Sequence, residues 1–185
     1  MSAALSATQQ QIVNAAISAG VDPAIALAVA QRESNFNQNA TGSSGEVGIF
    51  QLMPATAAQL GVNPYDVTGN IDGGIAYLGQ QYSRFGNWND ALAAYNWGPE
   101  NVLNAGGVYP ASVASYVNGV LNQASTYNAS LGSSGVTLTS SSALSLAPML
   151  NSLGMGSLTP YLPTTTLGMA ALAAGGAFLL AWLLD

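Results

Sequence analysis

Glu33 stands where a carboxylate can act as an acid. Ile25, Val29, Glu33 and Phe36 follow one another at spacings of four, four and three, which places them along one face of a helix. A carboxylate on an apolar stripe is disfavoured in its charged form, so its pKa rises and it can hold a proton near neutral pH, as a general acid must. On helix geometry alone, a surface glutamate beside Arg32 fits the same spacing, and both readings stay open at this point.

Composition restricts the other chemistry. The chain has no Cys, no His and no Lys, and its two basic residues are Arg32 and Arg84. Thiol catalysis, Ser-His and Ser-Lys arrangements, Schiff bases and the usual zinc, copper or iron sites are therefore excluded. Neither a metal nor a cofactor is expected. Proton transfer must come from the eight acidic residues and the tyrosines. A formal charge of −6 argues against a nucleic-acid partner, which demands a basic footprint. No disulfide framework is available, and 185 residues suit one domain with accessory segments.

The elements that must position Glu33 read as short helices. The start, MSAALSATQQQ, lacks the basic and apolar regions of a secretory signal peptide. Thr8 is expected to cap a first helix that ends at Gly20, with Ile12, Ala15 and Ala16 inward. Asp22 caps the next helix with Pro23 at its first position, and this helix carries Glu33. NQNATGSSGEVG predicts an irregular loop or small hairpin facing the helix end. Then comes the apolar run Ile49 to Met53, interrupted by Gln51, whose amide needs partners or a ligand. PATAAQLG closes a short helix at Gly61. Ile71, Ile75, Leu78 and Tyr82 repeat at helical spacing, Asn87 to Val102 forms a helix broken at Gly98-Pro99, and Ala111 to about Gln123 presents Val113, Tyr116, Val117 and Val120 inward. No alternating strand run is present, so the class is mainly α.

Four separated blocks resemble one family. They are Glu33-Ser34-Asn35-Phe36; Gly48-Ile49-Phe50-Gln51-Leu52-Met53-Pro54 with Thr56 and Ala57; Asn70-Ile71 with Gly74, Tyr77 and Leu78; and Ala93-Ala94-Tyr95-Asn96 with Gly98, Pro99 and Val102. In order and spacing they are similar to the soluble lytic transglycosylases of the goose-type lysozyme superfamily, over roughly the first two thirds of the chain. The resemblance implies a lysozyme-like domain that cleaves the bond between N-acetylmuramic acid and N-acetylglucosamine in peptidoglycan glycan strands. Glu33 would protonate the leaving oxygen and then take the proton of the muramic C6 hydroxyl, leaving a 1,6-anhydromuramic end. One carboxylate then serves both steps, whereas most other glycosidases use two. Ser34, Gln51, Met53, Tyr95 and Asn96 match the family's substrate groove. A tyrosine hydroxyl near Glu33 would position it, and the Gln51 amide would hold an acetamido group. For Met53, Gln51 and Tyr95 the competing reading is core packing.

The chain departs from the family pattern at three places. Where many relatives have a serine nine residues after the glutamate, Gly42 stands here, with Ser43 next to it as a substitute after a small loop shift. Glu46 replaces a small residue and is a candidate second carboxylate that activates water, which would make the reaction a hydrolysis. Val113 replaces the usual threonine of the last helix, while Tyr116 is retained.

The sequence organisation expected is a lysozyme-like domain over residues 1–124, a Ser/Thr/Gly-rich linker over 125–166 and a transmembrane anchor over 167–184. The last segment, LGMAALAAGGAFLLAWLL, would reach roughly 27 Å as a helix, near the thickness of a bilayer core. The expected fold class is thus mainly α with a C-terminal transmembrane helix. The expected setting is a phage virion membrane or cell-penetration apparatus, where the enzyme opens peptidoglycan locally beside other virion or membrane proteins. The alternatives are a bacterial inner-membrane wall-remodelling enzyme, a hydrolytic muramidase, and a noncatalytic virion structural protein.

Overall fold

Asp22 and Pro23 begin the helix on which the domain is built. The Asp22 carboxylate accepts from the backbone N–H groups of Ala24 and Ile25 at 2.8 and 3.3 Å, and proline at the first helical position has the right φ and no N–H to satisfy. The computed structural model describes residues 5–133. In chain order its helices are α1 (Ala7–Ala19), α2 (Pro23–Ser34), α3 (Pro54–Leu60), α4 (Val67–Phe85), α5 (Trp88–Trp97), α6 (Pro99–Ala105) and α7 (Ala111–Ser133).

Every residue of α2 from Ala24 to Ala30 is buried. A helix apolar on all sides belongs at the centre of a domain, and its alternating alanines let neighbours come close. α7 and α1 pack directly on it, while α4 packs on α1, α3 and α5, and α5 also meets α6 and α7. From α7, Val113, Tyr116, Val117 and Val120 all turn inward, as their spacing predicts.

The segment between α2 and α3 folds over the end of α2 as a small knot of isolated bridges, Thr41 with Val47 and Val47 with Leu52. Asn70 of α4 fastens it. Its buried side chain donates to the carbonyls of Val47 and Pro64 at 2.8 and 2.9 Å and accepts from the N–H of Phe50 at 2.8 Å. The approach requires glycine: a Cβ on Gly48, whose φ is +78°, would stand 2.3 Å from Asn70 Nδ2, and one on Gly74 would stand 2.2 Å from Phe50 Cγ. Phe50 is thereby fully buried against α4, a burial that contributes about 3 kcal/mol.

Several boundaries differ from the sequence expectation. Ser6, not Thr8, caps α1, because Gln9 three residues on completes a reciprocal capping box with it. Phe36 lies beyond the helix of Glu33: α2 ends at Ser34, and Asn35 and Phe36 both take positive φ, at 53° and 65°. The break at Gly98-Pro99 makes two helices, α5 and α6. α7 continues to Ser133, past the expected start of a linker at residue 125, with Ala124 buried and Tyr127 and Leu131 packed against the core.

The expected fold class is corrected at its C-terminal part. Among the described residues no helix is long and apolar enough to cross a membrane. The longest, α4 and α7, are amphipathic: Asp72 and Arg84 interrupt α4, and serines and asparagines line one side of α7. The architecture of the described residues is mainly α, with no transmembrane helix among them. Residues 167–184, on which that expectation rested, lie outside the described residues, as do 134–166 of the expected linker.

Candidate active site

Glu33 sits in the last turn of α2, half-buried. Its Oε1 accepts a 2.5 Å hydrogen bond from the Tyr116 hydroxyl of α7. Burial pushes the Glu33 pKa above the usual carboxylate value; the Tyr116 hydrogen bond and the Arg32 charge pull it down, and the charge of Glu46 pushes it up. Desolvation is the largest of these influences. The surface reading of Glu33 is therefore set aside: it is a shielded carboxyl biased toward its protonated form.

Tyr116 is buried, and its own ionisation is pushed far up by burial and by the Glu33 charge, so it remains a hydrogen-bond donor. The Arg32 guanidinium lies 5.9 Å from the centre of the Tyr116 ring. Tyr95 of α5 also feels the Glu33 charge, after its desolvation. Its hydroxyl donates to the carbonyl of Phe50 at 2.7 Å, and its ring lies 5.2 Å from that of Tyr77. The tyrosine that holds Glu33 is thus Tyr116, absent from the candidate residues drawn from sequence, although its type and inward register in the last helix were visible there.

The other candidates divide by what their polar atoms touch. Ser34 Oγ donates to the Ile49 carbonyl at 2.8 Å and accepts from the N–H of Asn37 at 3.0 Å, so its hydroxyl ties the end of α2 to the loop. Gln51, at φ +45°, donates through Nε2 to the carbonyls of Gly48 and Ala40 at 2.9 and 3.2 Å. Both amide hydrogens are engaged, which leaves Oε1 as an acceptor. Met53 is 40% exposed just before α3, and Asn96 is exposed beside Tyr95.

At Gly42 the vacant side-chain position is already occupied. A Cβ there would stand 2.1 Å from Glu46 Oε2 and 3.0 Å from Gln51 Oε1, and the same Glu46 oxygen accepts from the N–H of Ser44 at 3.0 Å. Glu46, half-buried, fills the place beside residue 42, while Ser43 is exposed. All three non-glycine residues of positive φ among those described, Asn35, Phe36 and Gln51, lie in the segments that shape this site, where strained backbone is commonly held. Among the described residues no cluster of acidic side chains could hold a metal ion.

A protonatable carboxyl, a tyrosine clamp and a strained loop facing them suit glycosidic chemistry, and comparison with known proteins agrees. The model of the transglycosylase SLT domain matches residues 10–118, more than half of the chain. The chain belongs to the transglycosylase SLT domain family. A transglycosylase of Enterobacteria phage PRD1 is 44% identical over 102 residues, covering 53% of this chain and 38% of that protein. The membrane-bound lytic murein transglycosylase F of Desulfosudis oleivorans is 36% identical over 94 residues, covering 46% of this chain and 21% of the relative. Among solved structures, an inactive mutant of the lytic transglycosylase Slt of Pseudomonas aeruginosa superposes with a TM-score of 0.61 at 29% identity, covering 68% of this chain and 24% of that one. The 70 kDa soluble lytic transglycosylase of Escherichia coli gives 0.61 at 26%, covering 66% and 24%. The chain thus spans well under half the length of these relatives, and what it shares with them is the SLT domain.

Proposed function

We propose that this SLT domain is a peptidoglycan lytic transglycosylase in which Glu33 is the acid and then the base, and that it opens the cell wall locally for a phage. The observation that carries the reading is the state of Glu33: half-buried, pushed up in pKa by that burial and held through one oxygen by Tyr116. With Oε1 accepting from Tyr116, the proton belongs on Oε2. From there it passes to the glycosidic oxygen as the bond from the muramic anomeric carbon breaks. The carboxylate then accepts the proton of the C6 hydroxyl while O6 bonds to that carbon. The C6 hydroxyl is part of the substrate, so it attacks with the high effective concentration of an intramolecular group, and no second carboxylate is required. Gln51 Oε1 and Asn96 would receive the amide and hydroxyl groups of the sugars, with Tyr95 and Met53 as apolar walls. The phage setting is supported by the similarity to the phage PRD1 transglycosylase.

One observation favours a second reading. The Glu46 charge is felt at Glu33, so a second carboxylate stands in its electrostatic neighbourhood, and as a base for water it would make the product hydrated. Mass spectrometry of digested peptidoglycan separates the two. Transglycosylation leaves muramic ends lighter by one water; predominantly hydrated ends would overturn it in favour of hydrolysis, and an inert protein would overturn both.

A further inference from the structure

We propose that α4 carries a second glycan-binding groove, away from Glu33, that holds an uncharged N-acetylated glycan strand while the active site works on another stretch. The identity of the polymer rests on the proposed function; the groove itself does not. It lies between the α1–α2 turn, α4 and the start of α5, with a volume of about 800 Å³, within the range of ligand-enclosing clefts. None of Glu33, Gln51, Tyr95 or Tyr116 lines it. On α4 the groove's Gly79 and Tyr82 stand two and five residues from Tyr77, whose ring meets that of Tyr95, and so roughly 140–160° round the helix, while Gln80 and Arg84 lie nearer the Tyr77 side.

The groove exists because its floor is made of small residues, Gly20, Ala76 and Gly79. A Cβ on Gly79 would already come within 3.2 Å of Val21. One wall is aromatic. The rings of Tyr82 and Trp88 lie 4.3 Å apart between centres at a tilt of 34°, and Tyr82 remains 40% exposed although its register in the sequence pattern points inward. A ring fixed by a second ring yet open to solvent offers a rigid apolar surface at low entropic cost, suited to the C–H face of a pyranose. Gln80 and Ser83 stand beside it to meet hydroxyl and acetamido groups. Arg84 at the groove is paired with Glu100 at 2.8 Å, Asp22 adds a carboxylate, and the chain carries −6. With its one lining cation already paired, the groove recognises its occupant through the ring and the polar side chains and not through charge. Two sites on one polymer raise the effective concentration of each for the other.

The test uses the full chain and two exposed positions, Tyr82→Ala, which removes the platform, and Ala76→Arg, which fills the floor. Binding to purified insoluble peptidoglycan is measured in a Glu33→Gln background, and turnover of insoluble peptidoglycan and of a soluble tetrasaccharide fragment in the parent background. Each substitution is expected to weaken binding to the insoluble polymer about tenfold and to lower the ratio of polymer to fragment turnover similarly. Undiminished polymer binding by both variants overturns the proposal, as do equal losses on polymer and fragment. A change of oligomeric state in Ala76→Arg without loss of polymer binding also overturns it and assigns the groove to a second copy of the chain. A parent protein that binds the polymer but turns over neither substrate defeats the proposed function and leaves the groove to be judged on binding alone.

Discussion

The Tyr116 hydroxyl donates to Glu33 Oε1 at 2.5 Å across 83 positions of sequence, so the candidate acid is held by the helix that packs on its own. This bond favours the carboxylate and opposes the desolvation that favours the carboxylic acid. Tyr116→Phe keeps the ring and removes the bond. The Glu33 pKa then rises, the alkaline limb of the activity profile moves to higher pH, and kcat falls about 10- to 100-fold as the carboxyl loses its alignment. Steady-state kinetics across pH check both; an unshifted limb with unchanged kcat would remove Tyr116 from the site.

Glu33→Gln should abolish turnover and at the same time stabilise the domain at neutral pH. The sign follows from linkage. Because burial raises the Glu33 pKa, the folded chain keeps the proton to higher pH than the unfolded chain. That contribution is complete below the unfolded value near 4.5 and is lost as pH rises through the raised folded value. Above it the folded domain carries a shielded charge that glutamine lacks. Thermal melts should place the variant a few degrees above the parent at pH 7, with the gap closing in acid. A parent more stable than the variant at pH 7 would contradict the raised pKa.

Arg32 and Glu46 pull Glu33 in opposite directions. Arg32→Gln should shift the alkaline limb to higher pH and Glu46→Gln to lower pH, while the anhydro product of Glu46→Gln stays the same. Hydrated ends in the parent that vanish in Glu46→Gln would make Glu46 the base that activates water.

Asn70 supports the loop that faces Glu33. Asn70→Ala leaves the Val47 and Pro64 carbonyls and the Phe50 N–H without their buried partner, at a cost of about 3 kcal/mol or more. Urea unfolding measures this directly, and a loss under about 1 kcal/mol would mean that water replaces the amide.

Short-range signals carried much of this protein. Asp22-Pro23 starts α2, Gly61 and Gly98-Pro99 end or break helices, and the spacing of Val113, Tyr116, Val117 and Val120 turns the right face of α7 inward, because caps, φ preferences and helical periodicity act within one or two turns. The absence of Cys, His and Lys left carboxylates and tyrosines for the chemistry, and the four sequence blocks marked Glu33. What the sequence could not settle depends on groups brought together from afar. Tyr95 was the tyrosine the sequence offered at the site, and only the packing of α7 on α2 brings Tyr116 to Glu33 while α5 turns the Tyr95 hydroxyl to Phe50. From the sequence, Ser43 was the candidate to fill the space beside Gly42, and Glu46 was a candidate second carboxylate. The fold of the loop gives that space to Glu46, because a hydrogen bond to Ser44 and the missing Cβ let its carboxylate lie there. The pKa of Glu33 is likewise a tertiary property: spacing placed it on an apolar stripe, but the balance among burial, Tyr116, Arg32 and Glu46 exists only once α2, α7 and the loop enclose it.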